Sequence, residues 1–179
     1  MNKVFFTSDL HLNHNKDFIW GARGFKSVHE MNYAILDNFS KIVDWDDDLY
    51  ILGDVLLGDN EVGIDYLSFI PGKKHIILGN HDTDTRRKIY ENRVYKTDVI
   101  GYADVFKYGK RRFYLSHYPT MTGNYDDKDK LAIWNLSGHT HSKDKFQYFP
   151  QNIYNVAVDA HDCKPVEIEQ IIEDIKEKR

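Results

Sequence analysis

The sequence predicts an α/β sandwich, two packed β-sheets with helices outside. The first half alternates short apolar runs with amphipathic helical stripes, the order that builds parallel strands. The second half, from Val94 to about Val158, carries strand-like runs and no helical stripe. No linker, repeat or low-complexity stretch divides the chain, so residues 1–179 are read as one domain of ordinary size.

Lys3–Ser8 reads as a buried strand running into Asp9-Leu-His11, followed by a polar loop to about Gly24. Ser27-Val-His-Glu30 has capping-box spacing. The helix after it carries Val28, Met31, Ile35, Phe39 and Ile42 as one apolar stripe and should end near Val43. Leu49–Leu52 is a second strand, ending in Gly53-Asp54. Asn60 is placed as the cap of a helix that Pro71-Gly72 breaks. His75–Leu78 is a third strand, ending in Gly79-Asn80-His81-Asp82, and a polar helix covers about Thr83 to Glu91. Val105–Tyr108 and Arg112–Ser116 flank a hairpin turn at Gly109-Lys110. Ile133–Ser137 leads into Gly138-His-Thr-His141. Lys145–Phe149 and Ile153–Val158 suggest another strand pair in a meander-like second half. Pro165 sits at the first turn of a last helix striped by Ile168, Ile171, Ile172 and Ile175.

Composition narrows the function. Hydrophobic residues at 41% and charged residues at 29% give a globular balance, not a disordered one. Lys plus Arg is 24 against 28 for Asp plus Glu, so bulk charge (net −4) does not drive the chain onto nucleic acid or membrane. The single cysteine, Cys163, excludes an internal disulfide. The N-terminal apolar run is far shorter than a signal-peptide core of ~7–15 residues, and no stretch approaches the ~18 apolar residues of a membrane helix. A cytoplasmic location is the expectation. Nine histidines, five of them in tight clusters with Asp, Asn and Gly, point to metal.

Every polar cluster follows a short apolar run: Asp9-x-His11, Gly53-Asp54, Gly79-Asn80-His81-Asp82, His117 and Gly138-His139-x-His141. Loops at the carboxyl ends of strands are where α/β sheets place ligands. Converging there, these residues would form a mixed nitrogen and oxygen set suited to Mn, Fe, Zn, Co or Ni rather than Ca or Mg. If the backbone stays extended, the two residues of each D-x-H or H-x-H pair point the same way. The glycines before Asp54, Asn80 and His139 would let the backbone turn without Cβ clashes.

The five blocks, in this order, resemble the calcineurin-like metallophosphoesterases. The match runs from Asp9 to His141. His14, Arg23-Gly-Phe25, Ser116-His-Tyr-Pro119 and Val158-Asp159 resemble the small bacterial and phage-type branch of that family. The resemblance implies a four-layer αββα fold and two divalent ions, manganese first among the candidates. It implies one ion on Asp9, His11 and His141, the other on Asn80, His117 and His139, and Asp54 bridging both. It implies His81 as the acid that protonates the leaving group, with Asp82 orienting it, in a reaction where hydroxide formed at the metal pair attacks phosphorus.

Around that site, His14 and Arg23 are candidate substrate contacts, and Met121–Asp129 is a candidate lid or rim. Tyr118 and Pro119 are read as shaping the loop after His117, His29 as a surface residue and His75 as structural. His161 has no assigned role. Lys107, Lys110, Arg111 and Arg112 are read as a solvated hairpin, and Arg86-Arg87-Lys88 as a surface helix start. The expected partner is a small phosphate-ester substrate, with diesters or nucleotides favoured and no membrane. The competing readings are a nuclease acting on DNA or RNA and a non-catalytic metal-binding scaffold. The sequence leaves oligomeric state open.

Overall fold

The computed structural model describes residues 2–94, 96–122 and 132–178; most of the candidate lid, from residue 123 to 129, lies outside the described residues. In chain order the elements are β1 (Val4–Thr7), α1 (Asp17–Trp20), α2 (Val28–Ile42), β2 (Asp48–Leu52), α3 (Asn60–Phe69), β3 (Lys73–Ile77), α4 (Asp84–Arg93) and β4 (Thr97–Gly101). Then come β5 (Ala103–Tyr108), β6 (Arg111–Ser116), β7 (Trp134–Ser137), β8 (Ile153–Asn155), a 3-10 turn at Val158–Ala160, β9 (Val166–Glu167) and α5 (Ile168–Lys178). One sheet has the order β4-β3-β2-β1-β9, the other β5-β6-β7-β8. This is the expected two-sheet α/β sandwich.

β1 and the carboxyl halves of β2 and β3 are apolar on both faces, as parallel strands covered on both sides must be. Alternation along β1 divides the protein between two cores. Phe5 joins Leu49, Ile51 and Ile76 with the stripe of α2 and residues of α3 and α4. Phe6 joins Leu52, Ile77, Phe113, Leu115, Leu136 and the isoleucines of α5. The first core therefore lies between the parallel sheet and helices α2–α4, and the second lies between the sheets. β1, β2 and β3 run parallel in register, so their carboxyl ends, and the loops after them, emerge on one edge.

Local signals explain most element ends. Ser27 caps α2 by accepting from Glu30 N, while the Glu30 carboxylate accepts from Lys26 N, one residue outside the standard box. Thr83 caps α4. Asp59, not Asn60, caps α3: its carboxylate takes both Glu61 N and Val62 N, and an anion at a helix start is favoured by the exposed N–H groups there.

Several expectations are corrected. The polar loop after His11 contains the short α1. The second half is not a meander: only β5 and β6 form a hairpin, while β6–β7 and β7–β8 pair in parallel through longer connections. β4 joins the first sheet beside β3. Residues 145–149 form turns rather than a strand. Pro165 precedes β9, which pairs antiparallel with β1 before the chain enters α5 at Ile168. Among the described residues, no helix is long and apolar enough to cross a membrane.

Candidate metal centre

Strand ends deliver the polar residues to one place. Asp9 and His11 follow β1, Asp54 follows β2, Asn80 and His81 follow β3, His117 follows β6, and His139 and His141 follow β7. The loops are tied by backbone bonds, Asp9 N to Gly53 O and His11 N to Asp54 O, each 3.0 Å. Asp54 is at the centre. Its Oδ2 lies 3.6 Å from His11 Nε2, 3.5 Å from His117 Nε2 and 3.9 Å from His81 Nε2. Asp9 Oδ1 lies 3.8 Å from both His11 Nε2 and His141 Nε2. On the other side, His117 Nε2 meets Asn80 Oδ1 at 3.0 Å and His139 Nδ1 at 3.2 Å. The seven residues expected as ligands thus stand around one centre.

Backbone conformation makes this possible in a way the sequence reading missed. Asp9, His11, Asp54, His139 and His141 all have left-handed φ, between 49° and 70°. Such angles strain non-glycine residues and cluster at functional sites. The D-x-H and H-x-H pairs are therefore not extended; tight left-handed turns aim both side chains inward. A signal was available, because Asp, Asn and His are the residue types most enriched in that region. The glycines act mainly by close approach. A Cβ on Gly79 would overlap Asp54 Oδ1, and one on Gly138 would overlap Asp9 Oδ2 and Ser8 Oγ.

Hydrogen bonds set the tautomers. His117 Nδ1 donates to Leu52 O (2.9 Å), which leaves the Nε2 lone pair facing the centre. His141 Nδ1 donates to Asp159 Oδ2 (3.1 Å), a bond that raises the His141 pKa. Burial drives His11 down to about 2, and burial also lowers His14 and His139. His11 is therefore neutral beside two buried carboxylates, Asp9 (0% exposed) and Asp54 (2%). Asp9 Oδ1 and His11 Nε2 are buried with no hydrogen-bond partner among the described residues. Buried carboxylates need a compensating cation. Asp9-His11-His141 and Asp9-Asp54-His117 each bring their ligand atoms within 4.8 Å of one another, so either group could hold an ion. The residues present fit divalent cations.

Two candidate roles change. Asp82 is buried, and its carboxylate accepts from Gly79 N and Asp54 N (both 2.8 Å), Val55 N (3.2 Å) and Tyr90 OH (2.8 Å). Burial raises its pKa, and these donors pull it back. It staples the Asp54 and Asn80 loops together rather than orienting the His81 imidazole. Arg23 is likewise unavailable to a substrate phosphate. Its Nε and Nη2 grip Asp159 at 3.0 and 2.9 Å, Nη2 also donates to Asp9 O (2.7 Å), and Nη1 reaches Leu10 O and Met31 Sδ. The Arg23 side chain is 2% exposed.

The other polar residues fall into place around these. His81 stands at the mouth with its side chain 43% exposed, and its backbone N–H is held by Asp54 Oδ1. His14 stacks on His11, with the two Nδ1 atoms 3.2 Å apart. His75 stacks on Tyr50 and bonds Asp48, and His161 bonds Asn155 O, both outside the cluster. Arg86 holds His81 O and Asn60, and Arg87 pairs with Glu91.

The two-sheet α/β sandwich, with Asp and His clusters at its strand ends, is consistent with a metallophosphoesterase-like fold that carries candidate metal sites. The YfcE phosphoesterase from E. coli has this fold: TM-score 0.51, 19% identity, covering 87% of this chain and 78% of that one. So does AQ665 from Aquifex aeolicus, a protein of unknown function: TM-score 0.73, 24% identity, covering 97% and 99%. No family model matches the chain. In sequence it is 30% identical to the uncharacterized protein MJ1445 of Methanocaldococcus jannaschii, over 96% of this chain and 90% of that protein. It is 31% identical to the Gene 66 protein of Mycobacterium phage D29, over 99% of each. The chain belongs to one family with MJ1445 and the phage Gene 66 protein.

Proposed function

We propose that this protein is a calcineurin-like phosphoesterase with a dinuclear metal centre, acting on small phosphodiesters or nucleotides, with manganese the favoured metal. One observation carries the reading. Asp54 Oδ2 stands 3.5–3.9 Å from three imidazole nitrogens supplied by three separate loops. Asp9, His11 and His141 would hold one ion, Asn80, His117 and His139 the other, and Asp54 would lie between. When bound, such a pair supplies Lewis acidity toward phosphoryl oxygens and acidifies water.

The chain's own residues do the rest. The left-handed turns fix Asp9, His11, Asp54, His139 and His141 before any ion arrives, which limits reorganisation. His81, anchored through its backbone but with a half-exposed ring, can meet a substrate oxygen and donate a proton to the leaving group. Such a step is worth ~10²–10⁴ in rate. His14, stacked on His11 near the mouth, is a candidate contact for the substrate.

The test is metal content by mass spectrometry, followed by turnover of p-nitrophenyl monoesters, p-nitrophenyl diesters and cyclic nucleotides with Mn²⁺. The expected result is two ions per chain and diester turnover. His81→Ala should lose ~10²–10⁴ of that rate with its metals retained. A protein that takes up no transition metal overturns the reading. Bound metal without turnover of any ester points to a scaffold, and turnover confined to polynucleotides points to a nuclease.

A further inference from the structure

A cleft of about 320 Å³ opens beside the metal centre, between the segment after β6 and the turns before β8. That size suits a small organic group, since ligand pockets run from roughly 300 Å³ upward. It is continuous with the candidate site, because His139 lines it and the Tyr118 ring packs on both imidazoles behind it. The centroid distances are 4.7 Å to His139 and 5.2 Å to His117. Its walls include Tyr118, Met121 and Tyr148, which are 51%, 59% and 38% exposed. Clustered apolar exposure of this kind marks a binding surface. Among the described residues no Lys, Arg, Asp or Glu lines it, and beside His139 and the tyrosine hydroxyls its polar groups are Thr140 and Gln151.

We propose that this cleft receives an uncharged planar ring, aryl or nucleobase, carried by the phosphate ester whose phosphorus sits at the metal centre. The inference rests on the phosphoesterase reading and adds a substrate class to it. An anionic substituent, such as a second phosphate, would find no cation among the described residues of the cleft. Flat tyrosine faces complement a planar ring, which keeps favourable stacking or edge contacts that a flexible alkyl chain lacks. Thr140 and Gln151 offer hydrogen-bonding groups to a heterocycle's edge.

The experiment uses the full chain loaded with Mn²⁺ and four diesters that share p-nitrophenol as the leaving group. Their second substituents are methyl, n-octyl, phenyl and thymidine-5′. Wild-type kcat/KM should favour phenyl and thymidine-5′ over methyl by roughly 10–100-fold. Tyr148→Ala should collapse that ratio toward one, and Tyr148→Phe should restore it. Calorimetric Kd values for phenylphosphonate against methylphosphonate should show the same preference and the same collapse, independent of turnover. The phenyl arm against the thymidine-5′ arm tells whether the ring is a simple aryl group or a nucleobase. Turnover of all four diesters at equal kcat/KM overturns the cleft assignment and leaves the phosphoesterase reading standing. Octyl exceeding phenyl overturns it in favour of an alkyl site. An absence of turnover and of phosphonate binding overturns both.

Discussion

Replacing Asp82 with Asn separates a stapling role from a catalytic one. Asp82 Oδ2 accepts from Gly79 N and Asp54 N, and Oδ1 from Val55 N and Tyr90 OH. In the better orientation of Asn, the amide oxygen keeps the first pair and the NH₂ faces the second. Tyr90 can rotate its hydroxyl to accept, but Val55 N–H is left buried against another donor. That stranded donor costs ~1–3 kcal/mol, and loss of charge on the retained bonds costs about 1 kcal/mol each. Removing a buried charge offsets part of the loss, because burial disfavours the ionised form. The net is about 3 kcal/mol of stability, or about 6–12 °C in Tm for a domain of this size. The assay is urea and thermal unfolding in EDTA, where metal binding cannot mask the change. Tyr90→Phe should cost less, ~1–2 kcal/mol, since the carboxylate keeps three donors. The stapling argument is refuted if Asp82→Asn matches wild type within ~0.5 kcal/mol yet loses turnover as deeply as His81→Ala.

Three further outcomes follow from the same structure. Lys74 is buried, its Nζ donates to Gly72 O (3.2 Å), and burial lowers its pKa to about 8 from 10.5. The unfolded chain holds that proton longer, so the penalty is full below pH 8 and lifts as pH rises toward 10.5, up to about 3 kcal/mol. Lys74→Met should be more stable than wild type at pH 7 by urea unfolding, with the difference shrinking by pH 10; a pH-independent difference would remove Lys74 as its source. Gly138→Ala should push Asp9 out of place and strip metal on dialysis, measured by mass spectrometry. Gly109→Ala, strained at φ +57° but meeting nothing within 4 Å, should retain it. Arg23→Lys keeps the charge but loses the fork on Asp159, so His141 is less well held. Metal affinity in competition titrations should fall ~10–100-fold, and an unchanged affinity would show that His141 does not depend on the pair.

The sequence disclosed which polar residues meet at the candidate site more fully than their arrangement, for a physical reason. Strand ends are marked locally, by an apolar run giving way to Gly, Asp, Asn or His, so Asp9, Asp54, Asn80 and His139 could be placed on loops without knowing the fold. Side-chain direction is not local. Reading Asp9-x-His11 as extended assumed that the strand continued, whereas the chain turns left-handed once its amides bond Gly53 and Asp54 carbonyls. Asp82 misled for the same reason: adjacency to His81 suggests a pair, but its donors come from Gly79, the Asp54 loop and Tyr90. Arg23 and Asp159 were each singled out, yet their bond spans 136 residues, and no periodicity reports such a pair. The parallel β6-β7-β8 order was hidden too, because a short strand looks the same whichever way its neighbour runs. Once the fold closes, these non-local contacts share one logic. Asp82 clamps the loops after β2 and β3, and Asp159 with Arg23 clamps the loop after β1 to His141. Two buried carboxylates, neither among the proposed ligands, thus hold rigid the strained turns that aim the ligands inward. Left-handed turns at Asp9, Asp54 and His141 would otherwise relax and scatter the site, so the clamps belong to the candidate metal centre as much as the residues that face it.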